Sequence, residues 1–439
     1  MTDTQTTPAI PPSPKTAPPS QRLMSLDALR GFDMFWIIGA DSLVESLHRM
    51  TPSGSTNFLA TQLGHVSWAG FHFYDLIFPL FVFMVGVAMV FSLTKTVERE
   101  GRARAVKRVI RRGVLLFAIG IFYYGGFRDG WPDMRVMGVL NRIALAYLFA
   151  GLLFCFFKPR ALVAICVGLL VGYWALLSFT PMRDIRLTPD NLARLAEAAG
   201  DAPTAAYYRN GESPNPSEVK NSPVWAATQN LFNATTNRVT GKFEMGYNVC
   251  DHFDFQYLPG RKYDTFFDPE GLLSTLPAIA ICLLGVFAGF LLKNPGIPDP
   301  RKVAWLLGAG AAAVALGWLW GYQFPVIKKI WTSSYVLVAG GYSALLLGGF
   351  YLVVDVWKRQ TWCQPFVWIG MNSITVYMAG NIVGGFRRLA GRLVGGDIQM
   401  FFDAHVAKGF GDMMVSIVGL MLAFWLVRFL YQRKIFLRL

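Results

Sequence analysis

Long apolar runs separated by polar connections make up most of this chain. A membrane-crossing helix needs about 20 mostly apolar residues, and runs of that kind occur at about ten places. They cover 26–47, 71–94, 109–126, 137–157, 161–180, 271–292, 303–322, 332–357, 364–385 and 409–431. Between the fifth and sixth runs, residues 181–270 are polar and too long for a tight connection, so they read as a small extramembrane domain. The first 22 residues are dense in Thr and Pro and cannot bury enough apolar surface to order themselves. With no short apolar h-region or cleavage site there, the first run is expected to act as an uncleaved anchor. The pattern predicts an all-α polytopic membrane protein, a bundle of about ten transmembrane helices with one periplasmic insert. Its expected parts are a disordered cytoplasmic tail (1–22), transmembrane helices 1–5 (23–180), the insert (181–270) and transmembrane helices 6–10 (271–439).

Composition narrows the class. Hydrophobic residues make up 54% of the 439 positions and charged residues only 15%, against roughly 25% charged in soluble domains. An ordinary cytosolic enzyme, a disordered chain and a disulfide-stapled secreted domain are all excluded. The five cysteines are scattered, with no Cys-x-x-Cys or Cys/His cluster, so neither a disulfide framework nor a metal site is indicated. The net charge of +14 then reports topology rather than a nucleic-acid partner. The connection between the second and third runs holds Lys95, Arg99, Arg102, Arg104, Lys107, Arg108, Arg111 and Arg112 against only Glu98 and Glu100. Cations in alternate loops share that side, which places both termini in the cytoplasm and the insert outside. Within this loop Arg104, Lys107, Arg108 and Arg111 have three readings: an orientation signal, attraction to anionic membrane lipids, or a landing site for a phosphorylated ligand. No Walker, dinucleotide or Gly-x-Ser-x-Gly fingerprint occurs.

Ionisable groups at membrane depth are costly and mark sites or structural pairs. Asp27 and Arg30, three apart, can pair on one helix face. Asp41 lies 11 residues beyond Arg30, about 16 Å along a helix axis, toward the outer leaflet. The segment Gly64-His65-Val66-Ser67-Trp68, followed by Asp75 and Pro79, is the richest in chemistry. His65 is suited to taking and giving protons near neutral pH, and Asp75 to fixing its tautomer. His72 reads as an interfacial bystander. Arg142, Asp268 and Glu270, then Asn372, Tyr377 and Asn381, complete the polar set. In the assigned topology Asp41, His65, Asp75, Arg142, Glu270 and Asn381 all fall toward the outer side, and that convergence argues for a site.

Five of these segments, Arg22-Leu23-Met24-Ser25-Leu26-Asp27-Ala28-Leu29-Arg30-Gly31-Phe32, Gly64-His65-Val66-Ser67-Trp68, Asp75-Leu76-Ile77-Phe78-Pro79-Leu80-Phe81-Val82-Phe83, Asp268-Pro269-Glu270-Gly271-Leu272-Leu273 and Gly370-Met371-Asn372-Ser373-Ile374, resemble the heparan-alpha-glucosaminide N-acetyltransferase family. Bacterial members are often named as N-acetylglucosamine-related transporters. The resemblance implies a bacterial inner-membrane, multi-pass acyltransferase. It would move an acetyl group from cytoplasmic acetyl-CoA to an amino sugar or glycan at the periplasmic face. It implies His65 as the active-site histidine, acting as general base or as nucleophile. Asp41 stands where the lysosomal enzyme has an asparagine, so this position can also accept a proton. The lysosomal enzyme's large lumenal domain has no counterpart in the short tail, and heparan sulfate is not the expected acceptor. In this reading Asp41 and Asp75 orient the imidazole. Trp68, Arg142, Glu270, Asn372 and Asn381 receive the acceptor or steady the oxyanion, while Arg104, Lys107, Arg108 and Arg111 hold the CoA phosphates. The alternative is a permease for N-acetylglucosamine or chitooligosaccharides with no acyl transfer. Gly-rich helix faces leave room for a homodimer.

Overall fold

The computed structural model describes residues 23–436 apart from 129 and 211–215, so the tail expected over 1–22 lies outside the described residues. The first half runs through α1 (Met24–Phe35), a π-helical turn (Trp36–Ala40), α2 (Asp41–Met50) and α3 (Gly54–Gln62). After a loop and a 3₁₀ turn (Phe73–Leu76) come α4 (Ile77–Glu100), α5 (Arg102–Tyr123), α6 (Val139–Phe156) and α7 (Pro159–Phe179). The polar stretch folds as α8 (Pro189–Ala198), α9 (Ala202–Arg209), α10 (Pro216–Lys220), α11 (Pro223–Ala234) and α12 (Val249–Tyr257). The second half holds α13 (Thr275–Lys293), α14 (Asp299–Gly321), α15 (Ser333–Phe350) and a second π-helical turn (Tyr351–Val356). It ends with α16 (Gln364–Met371), α17 (Ser373–Ile382), α18 (Phe386–Val394), α19 (Asp397–His405) and α20 (Phe410–Gln432).

The protein is an all-α polytopic membrane protein. Seven of the apolar runs form helices long and apolar enough to cross a membrane: Phe73–Glu100, Val139–Phe156, Pro159–Phe179, Thr275–Lys293, Asp299–Gly321, Ser333–Val356 and Phe410–Gln432. The other three differ for local reasons. The first is interrupted by the π-helical turn, where Gly39 takes φ 125°, a value open to glycine at little cost. The third sits in α5, whose first half carries Arg102, Arg104, Lys107, Arg108, Arg111 and Arg112. The ninth breaks at Asn372, between α16 and α17.

Helices α4 and α13 form the centre, with Val82, Phe83, Met84, Val87, Ile281, Cys282, Leu283 and Val286 buried together. They touch backbone to backbone. A Cβ on Gly86 would sit 2.0 Å from the Cys282 carbonyl oxygen, and one on Gly285 would sit 1.9 Å from that of Phe83. Small residues at such a crossing allow the close packing that holds helices together where lipid removes the hydrophobic drive. Gly31 of α1 and Gly370 of α16 form a second reciprocal pair, against the Phe366 and Asp27 carbonyls.

The insert has its own apolar centre of Leu192, Ala196, Phe232, Phe255 and Phe266, with Trp225 stacked on Phe266 at 5.2 Å. Two short antiparallel ladders, Met182–Arg183 with Arg238–Val239 and Phe243–Glu244 with Tyr247–Asn248, complete it.

Candidate active site

The loop between α3 and the 3₁₀ turn is held at several points. Gly70 N–H donates to the Val326 carbonyl at 2.9 Å and Ala69 bridges Ile327, tying the loop to the connection between α14 and α15. Trp68 Nε1–H donates to the Phe243 carbonyl at 2.7 Å, tying it to the insert. His72 Nδ1–H donates to the Gly64 carbonyl at 3.1 Å and so holds the loop. Asp75 finishes the arrangement. Its Oδ2 accepts from His72 N–H at 3.0 Å and Val66 N–H at 3.3 Å. Its Oδ1 lies 2.9 Å from His65 Nδ1. The Asp75 side chain is 1% exposed and that of His65 54% exposed. A buried carboxylate therefore orients an accessible imidazole, with Nδ1–H toward Oδ1 and Nε2 carrying the lone pair.

Two residues that the sequence reading passed over join this pair. Tyr74 packs its ring on His65 at 4.8 Å between centroids and donates its hydroxyl to Asp41 Oδ2 at 3.1 Å. Asp41 therefore reaches His65 through Tyr74. Lys328, on the connection between α14 and α15, lies 3.2 Å from Asp75 Oδ1 and 2.9 Å from His65 Nδ1. Burial pushes its ammonium below the ordinary lysine range, and the Asp75 charge opposes that shift. Lys328 is 263 residues from His65, and nothing local marks it; in the sequence it counts only as a loop cation.

A second cluster adjoins the first through packed side chains. Tyr335 donates its hydroxyl to the Asp75 carbonyl at 2.8 Å and its ring meets Trp331 at 5.7 Å. Arg142 lies over the other ring of this series, 5.0 Å from the Trp331 centroid. Fully buried, Arg142 donates to the Gly271 carbonyl at 3.2 Å and to Ser274 Oγ, while its Nε and Nη1 have no partner among the described residues. Glu270 pairs instead with Arg135, whose Nη2 is 2.8 Å from Oε2. Arg135 also grips Asp268 with two bonds of 3.1 and 2.9 Å.

Burial, followed by the neighbouring Asp268 charge, pushes the Glu270 carboxyl up to about 7. A carboxyl raised in the folded state contributes stability that is full below its ordinary range, near pH 4.3, and lost as pH rises to the folded value. Replacing Glu270 by Gln is therefore expected to flatten the fall in stability between pH 5 and 7, by up to about 1.4 kcal/mol per pH unit. Melting followed by tryptophan fluorescence at a series of pH values checks this; an unchanged slope would count against the buried acid.

The remaining expected residues divide. Trp68 follows His65 by three residues, and its indole N–H is taken up by Phe243, so it fastens the loop. Asn372 is buried with neither side-chain polar atom partnered among the described residues, and Asn381 is exposed and takes no part in the contacts above. Arg104, Lys107, Arg108 and Arg111 line a cleft of about 310 Å³ with Thr96 and Glu100, at the far end of α4 from Asp75. Arg108 donates to Thr96 Oγ1 at 3.0 Å, and Arg104 to Glu100 at 3.2 Å. Among the described residues no group of three or more His, Cys, Asp or Glu side chains is placed to hold a metal ion.

Known proteins share this chain's pattern. Residues 22–190 match the family model described as heparan-alpha-glucosaminide N-acetyltransferase, catalytic. The mouse (Mus musculus) heparan-alpha-glucosaminide N-acetyltransferase is 26% identical over 359 residues, covering 73% of this chain and 49% of that protein. The human (Homo sapiens) protein of the same name is 26% identical over 354 residues, covering 72% and 48%. The chain spans about half the length of the curated relatives it matches. The matched region contains the His65 loop, Asp75, Asp41 and Arg142.

Proposed function

We propose, on the premise that this chain is a member of the heparan-alpha-glucosaminide N-acetyltransferase family, that it transfers an acetyl group from acetyl-CoA on one side of the membrane to an amino sugar on the other. The His65–Asp75 pair carries the reading, since it supplies an oriented imidazole with an accessible Nε2. The layout supports transfer across the membrane. From Asp75 to Thr96 is 21 residues, about 32 Å of helix and close to the roughly 30 Å hydrocarbon core. The cationic cleft stands at one end of that span and the imidazole at the other. Arg104, Lys107, Arg108 and Arg111 suit the phosphates of CoA by charge and fork geometry.

The chemistry follows from the lone pair on Nε2. In one route the acceptor attacks as the free amine: its nitrogen bonds the thioester carbonyl carbon while Nε2 takes the amine proton, a C–N bond forms and the C–S bond breaks. The CoA thiolate then takes up the proton. In the other, Nε2 attacks the thioester carbonyl and expels the CoA thiolate; the amine then attacks the acetyl group, the acetyl–Nε2 bond breaks, and the amine's proton passes to the thiolate. In both, Asp75 stabilises the positive charge that develops on the ring. The concentration of Lys and Arg around 95–112 supports a cytoplasmic cleft, a periplasmic His65 and a multi-pass inner-membrane protein with cytoplasmic termini.

The test is mass spectrometry of an acceptor mixture, containing glucosamine and its oligomers, incubated with purified protein and acetyl-CoA. Acetylated amino sugar is the expected product. Acetyl on a hydroxyl would keep the chemistry and change the acceptor. Uptake of labelled N-acetylglucosamine into proteoliposomes lacking acetyl-CoA, with no acetylated product, would replace the reading with a permease. Omitting the acceptor separates the two routes, because only the second leaves labelled acetyl on His65.

A further inference from the structure

We infer that Lys328 is a positioning residue for His65, keeping its imidazole uncharged by offsetting the Asp75 carboxylate. The inference rests on the proposed role of His65 as the reacting group. His65 Nδ1, Asp75 Oδ1 and Lys328 Nζ form a triangle with sides of 2.9, 3.2 and 2.9 Å. A carboxylate alone against an imidazole favours the imidazolium. An imidazolium has no lone pair with which to take a proton or an acetyl group. An ammonium on the same carboxylate oxygen cancels that pull. The ring then faces a neutral pair, and the carboxylate still accepts from Nδ1–H.

A flexible lysine is held to this place by its backbone. Gly70 N–H bonds Val326, Ala69 bridges Ile327, and Ile327 N–H donates to Thr332 Oγ1 at 3.0 Å. The next residue, Lys329, turns away to Asp264 at 2.8 Å, so the two adjacent lysines serve different acids. The groups facing His65 can be named by element. The 3₁₀ turn supplies Asp75 and Tyr74, the 322–332 connection supplies Lys328, and α2 supplies Asp41 beyond Tyr74. His72 is turned to Gly64, and Glu270 acts on Lys328 from farther off. Lys328 supplies the cation in direct contact with the pair.

Diethyl pyrocarbonate reacts with unprotonated imidazole, so its rate at His65, followed by peptide mass spectrometry from pH 5 to 9, reads the ring directly. The full-length purified protein is used, with its monodispersity checked in each variant. Lys328→Met is expected to move the pH of half-maximal reactivity upward by about one unit or more. Lys328→Arg keeps the charge and is expected to hold the wild-type midpoint. The double variant Asp75→Asn, Lys328→Met removes both charges and is expected to return the midpoint toward wild type. An unmoved midpoint in Lys328→Met, or a shift as large in Lys328→Arg, overturns the inference; so does a double variant that stays with Lys328→Met. Should Lys328→Met fail to fold, Lys328→Gln, which also removes the charge but keeps a polar tip, takes its place in both the single and the double variant with the same expected outcomes. Because the readout is the ring and not acetyl transfer, a protein that acetylates nothing would reject the proposed function and leave this result to stand or fall separately.

Discussion

Replacing His65 by Ala is expected to cut acetyl transfer to glucosamine by about 10²–10⁴-fold, the range that a positioned proton-transfer group contributes. The side chain is accessible, and its contacts are to Asp75, Lys328 and the Tyr74 ring, so its loss removes little packing from the core. Melting temperature should therefore change little while labelled product falls, and that separation makes the result interpretable. Asp75→Asn should behave differently. Asp75 also accepts from the Val66 and His72 amides, and an amide side chain has a single acceptor oxygen for these donors. Activity and loop stability should then fall together. Transfer within a factor of two of wild type in His65→Ala would remove His65 from the chemistry.

The largest stability effect is expected at Arg135. Its guanidinium is buried against Asp268 and Glu270 and lies 4.5 Å from the Tyr124 ring centroid and 5.1 Å from that of Tyr263. Its two carboxylate partners hold the guanidinium well above the ordinary arginine range, outweighing the effect of burial. Arg135→Ala strands Asp268, whose side chain is 0% exposed. Removing one partner of such a pair costs about 3–5 kcal/mol, because the other charge remains buried. Arg135→Lys should recover only part of the loss, since a point-charge ammonium does not reproduce the two-pronged grip on Asp268. Thermal melting of the detergent-solubilised protein checks both. A loss below about 1 kcal/mol in the alanine variant would place it in the range of surface ion pairs and contradict the burial.

The helical class was legible because membrane spans write themselves as apolar runs, and His65 with Asp75 was legible because ten residues separate them on either side of one turn. What escaped was contact at long range. Lys328 and Arg135 both read as ordinary loop cations, since the acids they meet lie 253 and 133 residues away. Arg142 and Glu270 were both expected near the outer side, and the structure gives Glu270 its hydrogen bond from Arg135. Tyr74 sits in the aromatic approach to the second run, where nothing local singles it out. Its hydroxyl acquires meaning once the first span bends to bring Asp41 beneath it. The interruptions of the first and ninth runs were hidden for a related reason: hydropathy reports how apolar a stretch is, not whether its hydrogen bonds run without a break.

The π-helical turn at Trp36–Ala40 sets a rotational phase. Each residue of an α-helix turns the chain by about 100°, so one residue inserted or removed there would swing everything beyond it by more than a quarter of a revolution. Upstream, Gly31 is locked against Phe366 and cannot rotate to compensate. Downstream, Asp41 meets the Tyr74 hydroxyl at only one azimuth. The widened turn thus works as a spacer that lets one apolar run satisfy two angular demands, a packing face against α16 and a carboxylate aimed at the tyrosine beside His65. Substitutions within it, Gly39 apart, are easier to accommodate than any change in its length, and a chain shortened there by a single residue would keep its apolar run and lose its aim.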